Sequence, residues 1–188
     1  MKYLKYIFAI IAILIIGFFL IGLIKPKVSY ACEIMVEKPV VESWAVIQDE
    51  ENLPEWLEGF QKIEPVSGSP GTVGAVSDVY FVADGQEMTI RETITAIVPN
   101  ESISMRYESD FMNMDYKLVM TSINGKTKIS SSTNAVGNGI FSKSIMALVG
   151  NSIKAQEETN LSNLKKTIEQ NTKDYFPTAE TSIEIKED

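Results

Sequence analysis

The 188-residue sequence contains no histidine and a single cysteine, Cys32. Without imidazole, histidine acid–base chemistry, Ser-His-Asp triads and histidine–metal sites are excluded. One cysteine excludes an intrachain disulfide and a cysteine-rich zinc site. Positive charge is also short: 17 Lys and Arg stand against 25 Asp and Glu, a net charge of −8. A protein that follows nucleic-acid phosphates needs a basic stripe to release counterions, and no Lys/Arg cluster here is large enough. No nucleic acid, metal or cofactor is therefore expected. Any catalysis must rest on carboxylates, Tyr, Lys, Arg or hydroxyl groups.

One long apolar run is present. Fourteen of the eighteen positions from Ile7 to Ile24 are Ile, Leu or Phe, and the others are Ala9, Ala12, Gly17 and Gly22. Such a helix covers ~27 Å, close to the ~30 Å hydrocarbon core of a bilayer. A cleaved signal peptide would carry a shorter apolar region leading into a small-residue cleavage site. Here the run leads into Lys25-Pro26-Lys27 instead. Residues 1–27 are thus expected to be an uncleaved single-pass transmembrane anchor. Lys2 and Lys5 balance Lys25 and Lys27, so the free N-terminal amine tips the short tail toward the cytoplasm and the domain outward.

Beyond the anchor, residues 28–176 read as one domain, and the acidic residues 177–188 lack a core pattern and read as a flexible tail. Val28, Tyr30, Cys32, Ile34 and Val36 alternate with polar residues, the period of a half-buried strand. Pro39 opens a short helix with Val40, Val41, Trp44 and Ile47 on its apolar face. Leu53, Trp56, Leu57 and Phe60 form a stripe on a second helix, which Gly59 helps to end. From Lys62 to Val136 the reading is antiparallel sheet, with Thr72–Ala83, Gln86–Val98, Ser102–Ser109, Phe111–Ile123 and Lys126–Val136 as its later strands. Asp84-Gly85 and Asn124-Gly125 mark tight hairpins, because both pairs tolerate positive φ. Phe141 to about Gln170 reads as one long helix whose apolar stripe is interrupted near Gln156, Glu157 and Asn160.

This order resembles the helix-grip fold of the START-like (SRPBCC) superfamily, which includes polyketide cyclases/dehydratases, Bet v 1-type proteins and lipid-transfer START domains. The matching stretches are Ile34-Met35-Val36-Glu37-Lys38-Pro39-Val40-Val41-Glu42-Ser43-Trp44 and Leu53-Pro54-Glu55-Trp56-Leu57-Glu58-Gly59-Phe60. Pro70-Gly71-Thr72-Val73-Gly74, Ile90-Arg91-Glu92-Thr93-Ile94 and Leu161-Ser162-Asn163-Leu164-Lys165-Lys166 follow. The resemblance implies an α+β fold: a curved antiparallel sheet wrapped around a long C-terminal helix, with two short helices after strand 1. It implies a hydrophobic cavity between sheet and helix, but carries no shared catalytic signature. A single helix ahead of such a domain is also similar to a bacterial arrangement, so the expected location is the inner membrane with the domain on the periplasmic side.

Strand alternation then names the lining. One face carries Met88, Ile90, Glu92, Ile94 and Ala96, the next Ile103, Met105 and Tyr107. Met112, Met114, Tyr116, Leu118 and Met120 follow, then Ile129, Ser131 and Thr133, with Ile153 supplied by the long helix. The expected ligand-binding set is Met88, Ile90, Glu92, Ile94, Met105, Tyr107, Met114, Tyr116, Leu118 and Ile153. Methionine is flexible and polarisable, suited to apolar ligands of varied shape and equally to filling a closed core. Glu92 is the candidate catalytic residue, since an inward carboxylate must either be paired, by a neighbouring Arg or Lys, or have its pKa raised. Arg91 and Arg106 fall on the opposite, outer faces.

Three functions are compatible with these features. The first is binding of a hydrophobic or lipid-like small molecule beside a membrane. The second is a cyclase/dehydratase-type enzyme using Glu92 with Tyr107 or Tyr116. The third is a ligand-free module whose acidic surface recruits a partner.

Overall fold

A computed structural model describes residues 3–83 and 85–177. The expected acidic tail falls on residues 177–188, of which only Pro177 lies within the described residues. Helix α1 (Leu4–Ile24) is followed by strand β1 (Lys27–Val36), helix α2 (Val40–Gln48), a 3-10 turn (Glu50–Asn52) and helix α3 (Leu53–Trp56). Six strands come next: β2 (Phe60–Ser67), β3 (Val76–Ala83), β4 (Gln86–Val98), β5 (Ser102–Glu108), β6 (Met112–Ile123) and β7 (Lys126–Gly137). The chain closes with the 31-residue helix α4 (Ile140–Gln170).

The strands make one antiparallel sheet in the order β1-β7-β6-β5-β4-β3-β2. Sequential hairpins build it from β2 to β7, and β1 then returns to the free edge of β7. Asn124 and Gly125 adopt φ of 52° and 80°, the left-handed pair a tight β6–β7 hairpin needs. Helix α4 lies mainly against β1 and α1, with lesser contact to α3, β7 and α2. Val36, Ile129, Leu118, Leu161, Leu164 and Ile168 form the centre of the core, each essentially without solvent contact. Cys32 belongs to that core as a small buried thiol.

Two local readings need correction. The second short helix ends at Trp56 rather than running to Phe60. Leu57 leaves the helical region with ψ of 106°, Gly59 takes φ of +77°, and Phe60 opens β2. Pro54 is compatible with the first turn, so the early end comes from Leu57 and Gly59 turning the chain into β2. In β4 the alternation breaks after Ile94, where the pairing with β5 shifts by one residue. That bulge turns Ala96 outward and brings Ile97 against the core instead.

Helix α1 is the one helix among the described residues long and apolar enough to cross a membrane. Its last turns do not stand free. The Phe18 ring lies 5.7 Å from that of Phe141 at the start of α4. A side chain on Gly22 would meet the backbone nitrogen of Ser144 at 2.6 Å, so the two helices cross at a contact only glycine allows.

Candidate functional site

The sheet register assembles the inward-facing residues into three rungs. In the first, Glu92 of β4 pairs with Tyr107 of β5, and Tyr107 with Met114 of β6. In the second, Ile94, Met105, Tyr116, Thr133 and Tyr30 follow one another from β4 to β1. In the third, Ile103, Leu118, Ser131 and Cys32 do so. One concave face thus carries Glu92, Ile94, Met105, Tyr107, Met114, Tyr116 and Leu118. Ile90 lies one rung beyond Glu92. Met88 is further out still, 44% exposed, where β4 runs past the end of β5 and pairs with β3 alone. Ile153 is half-buried on α4.

The rungs differ in accessibility. Leu118 and Ile94 are buried, whereas Ile90, Glu92, Met105, Tyr107, Met114 and Tyr116 all keep some solvent-accessible surface. Yet Tyr107 and Tyr116 are so enclosed by protein that burial is the first cause raising both phenol pKa values well above the ordinary tyrosine value. Met105 and Tyr116 pack against the core while keeping some accessible surface, and Tyr107 and Met114 continue that wall on the next rung. These partly accessible side chains form a margin, or recess, of the concave face next to the core residues Ile94, Leu118 and Leu161.

Polar contacts within the recess are few. The Tyr116 hydroxyl donates to Glu157 Oε1 of α4 at 3.0 Å, tying sheet to helix across the interior. Tyr107 packs edge-on to Tyr116 at 6.3 Å between ring centres, and its hydroxyl donates to Met105 Sδ at 3.3 Å. The same hydroxyl lies beside Glu92. Burial pushes the Glu92 carboxyl above the usual carboxylate range, the Tyr107 hydroxyl pulls it part of the way back, and Glu50 adds a small upward push. The pairing with Arg or Lys anticipated for Glu92 is not its environment: Arg91 forks onto Asp78 at 2.9 and 3.0 Å, and Arg106 bonds Asp115, both on the convex side. Ser131 Oγ and Thr133 Oγ1 sit beside Tyr116 and Tyr30 but make no hydrogen bond of good geometry, and Trp56 Nε1 is likewise buried without a partner.

Tyr30 and Glu157 complete this cluster. Tyr30 lies on the inward face of its strand, but a tyrosine there carries no mark distinguishing it from a packing residue. The only signal for Glu157 was the gap in the apolar stripe. Of the residues around that gap, Gln156 and Asn160 turn away, Gln156 bonding Glu58 at 2.7 Å and Asn160 accepting from the Glu58 backbone. Two polar surface hollows of about 450 and 430 Å³ lie elsewhere, one between Asn52 and the end of α4, the other around Arg106 and Asp115 on the convex face.

The tyrosine hydroxyl oxygens and the Glu92 carboxyl are the polar groups on this wall that keep some accessible surface and could hydrogen-bond a bound molecule.

Residues 27–169 match the model of a family described as polyketide cyclase / dehydrase and lipid transport. No curated protein matches the chain. Among solved structures, Ara h 8.0201 is 19% identical, with 77% of this chain and 99% of that one covered at a TM-score of 0.62. The Zhui aromatase/cyclase from a Streptomyces species is 12% identical over 81% of this chain and 99% of its own, with a TM-score of 0.63. A protein from Chromobacterium violaceum is 15% identical over 77% and 99%, also at 0.63. These likenesses are of fold.

Proposed function

The chain belongs to the polyketide cyclase / dehydrase and lipid transport family, and on that premise we propose that it binds a hydrophobic, lipid-like small molecule between the sheet and α4. Helix α1 holds this site beside a membrane, with the domain on the outer face of a bacterial inner membrane. The observation that carries the reading is the enclosed yet accessible wall of Met105, Tyr107, Met114 and Tyr116. Methionines and aromatic rings offer a deformable apolar surface. The Glu92 carboxyl and the Tyr107 hydroxyl, which keep some accessible surface on the outer rung, give a bound molecule a place for one or two polar groups.

The test is extraction of full-length protein, purified in a mild detergent from its membrane, followed by mass spectrometry of the extract. A recurring amphiphile at a fixed ratio to protein is expected, and Met114→Trp should displace it by filling the recess. Repeated recovery of protein with no such molecule, together with failure to bind a long-chain fatty acid, would sink the proposal.

One observation favours a second reading, a cyclase/dehydratase-type reaction. The Glu92 carboxyl, with its raised pKa, lies against the Tyr107 hydroxyl, the arrangement a general acid needs. On this reading Glu92→Gln abolishes turnover of an identified substrate while leaving its binding intact. Unchanged turnover would remove Glu92 from the chemistry.

A further inference from the structure

The first three turns of α4 have no role in the recess. Phe141, Ile145 and Leu148 fall on one stripe of the helix, and Phe141 and Leu148 remain 58% and 57% exposed, with Ile140 and Val149 exposed beside them. Phe111, in the turn between β5 and β6, lies next to this patch, because its carbonyl accepts from the Asn138 backbone at 2.9 Å. The patch is continuous with α1 through the Phe18–Phe141 contact and the Gly22–Ser144 crossing.

Depth follows from helix geometry. The apolar helix ends at Ile24, two residues after Gly22 and six after Phe18. At about 1.5 Å per residue, Ser144 is level with a point ~3 Å inside that end, and Phe141 with one ~9 Å inside it. A helix lying in a membrane interface buries its apolar face to a depth of about 5–10 Å. Lys25 and Lys27 follow the end of α1 and Lys143 sits in the first turn of α4, where phospholipid headgroups would meet them.

From these contacts we infer that the start of α4 is a second membrane-binding element: Ile140 and Phe141, with Phe111, insert into the acyl boundary of an anionic bilayer alongside α1, while Leu148 and Val149, about 6 Å further along the helix than Ser144, meet the headgroup layer. The inference rests on α1 crossing the membrane. It seats the domain in a fixed orientation with the β1–β7 end of the sheet down, where the tether alone would let it swing. The occupant of the exposed patch is lipid, and a second copy of the chain is the rival the test must separate.

Full-length protein carrying Cys32→Ser is reconstituted into vesicles of phosphatidylcholine and phosphatidylglycerol, and a fluorophore is attached in turn to Phe141→Cys, Leu148→Cys, Ile21→Cys and Thr121→Cys. Cys32→Ala serves if Cys32→Ser does not fold. Lipids with a quencher high on the acyl chain should quench the label at 141 to within roughly twofold of that at 21, at interfacial depth, quench the label at 148 less, and leave the label at 121, on the distant β6–β7 hairpin, unquenched. If the label at 21 is quenched while that at 141 behaves like 121, the inference is overturned. Cross-linking between labelled α4 surfaces would then assign the patch to a second copy. If the label at 21 is itself unquenched, the membrane reading of α1 fails and this one with it.

Discussion

Leu161, Leu164 and Ile168, in the second half of α4, are at most 1% exposed, whereas Ile140, Phe141 and Leu148 in the first half are 40 to 58% exposed. One unbroken helix therefore changes partners along its length. The second half lies under the sheet against Val36 and Ile129, and the first half lies against α1 and faces outward. Apolar residues recur along both halves, so periodicity alone does not tell a core from an interface. The difference between the halves can be broken by mutation. Leu164→Ala removes a fully buried side chain and leaves a cavity, which should cost about 2–5 kcal/mol in urea unfolding. A loss under 1 kcal/mol would mean the second half is not the structural half.

A brace after α4 reinforces the same half. The Tyr175 hydroxyl donates to Asp49 Oδ2 at 2.7 Å and accepts from Asn52 at 3.1 Å, while Lys173 bonds Asp49 at 2.8 Å. Tyr175→Phe should cost about 1 kcal/mol, the worth of one hydrogen bond to a charged acceptor less what water restores. The Lys173 ammonium, then the Tyr175 hydroxyl, holds the Asp49 carboxyl below its ordinary value. A lowered carboxylate pKa stabilises the fold above the unfolded pKa and loses that contribution as pH falls through the folded one. The destabilisation by Tyr175→Phe should therefore shrink in acid, and an equal loss at neutral and strongly acidic pH would show that Asp49 is not the linked group.

Much of this was legible in the sequence. Alternation and the Asn124-Gly125 turn placed most strands within a residue or two, because a one-residue slip would carry every apolar side chain to the wrong face. Glu92, Tyr107 and Tyr116 were read as inward for the same reason, and the register puts them on adjoining rungs. Three features were not legible. The bulge after Ile94 depends on how β4 meets β5, which no local pattern records. The Tyr116–Glu157 bond joins residues 41 apart in sequence. The α1–α4 crossing depends on Gly22, which inside an apolar run looks like any other small residue.

Glu92 offers a weaker test, in which the recess is compared with the core. Its folded pKa is raised, so its contribution to stability is present below the unfolded pKa and is lost as pH rises through the folded value. Glu92→Gln should therefore gain on the parent protein as pH rises, a smaller effect than Tyr175→Phe produces. Thermal unfolding compared below the ordinary glutamate pKa of about 4.3 and at neutral to mildly alkaline pH measures the difference. A variant whose deficit grows with pH would place the carboxylate in a paired site and not against the recess wall.

The smallest expected effect is the most telling for α4. Leu148 is 57% exposed, and Leu148→Ser should change the unfolding free energy of detergent-solubilised protein by no more than about 0.5 kcal/mol. It meets the headgroup layer at the edge of the inserted patch, so the same substitution should be felt only with lipid present. In vesicles it should loosen the seat of the domain, read as faster proteolysis of the Lys25–Lys27 linker. A cost in detergent approaching that of Leu164→Ala would mean that the first half of α4 is core after all. An unchanged linker in vesicles would mean that α1 alone positions the domain.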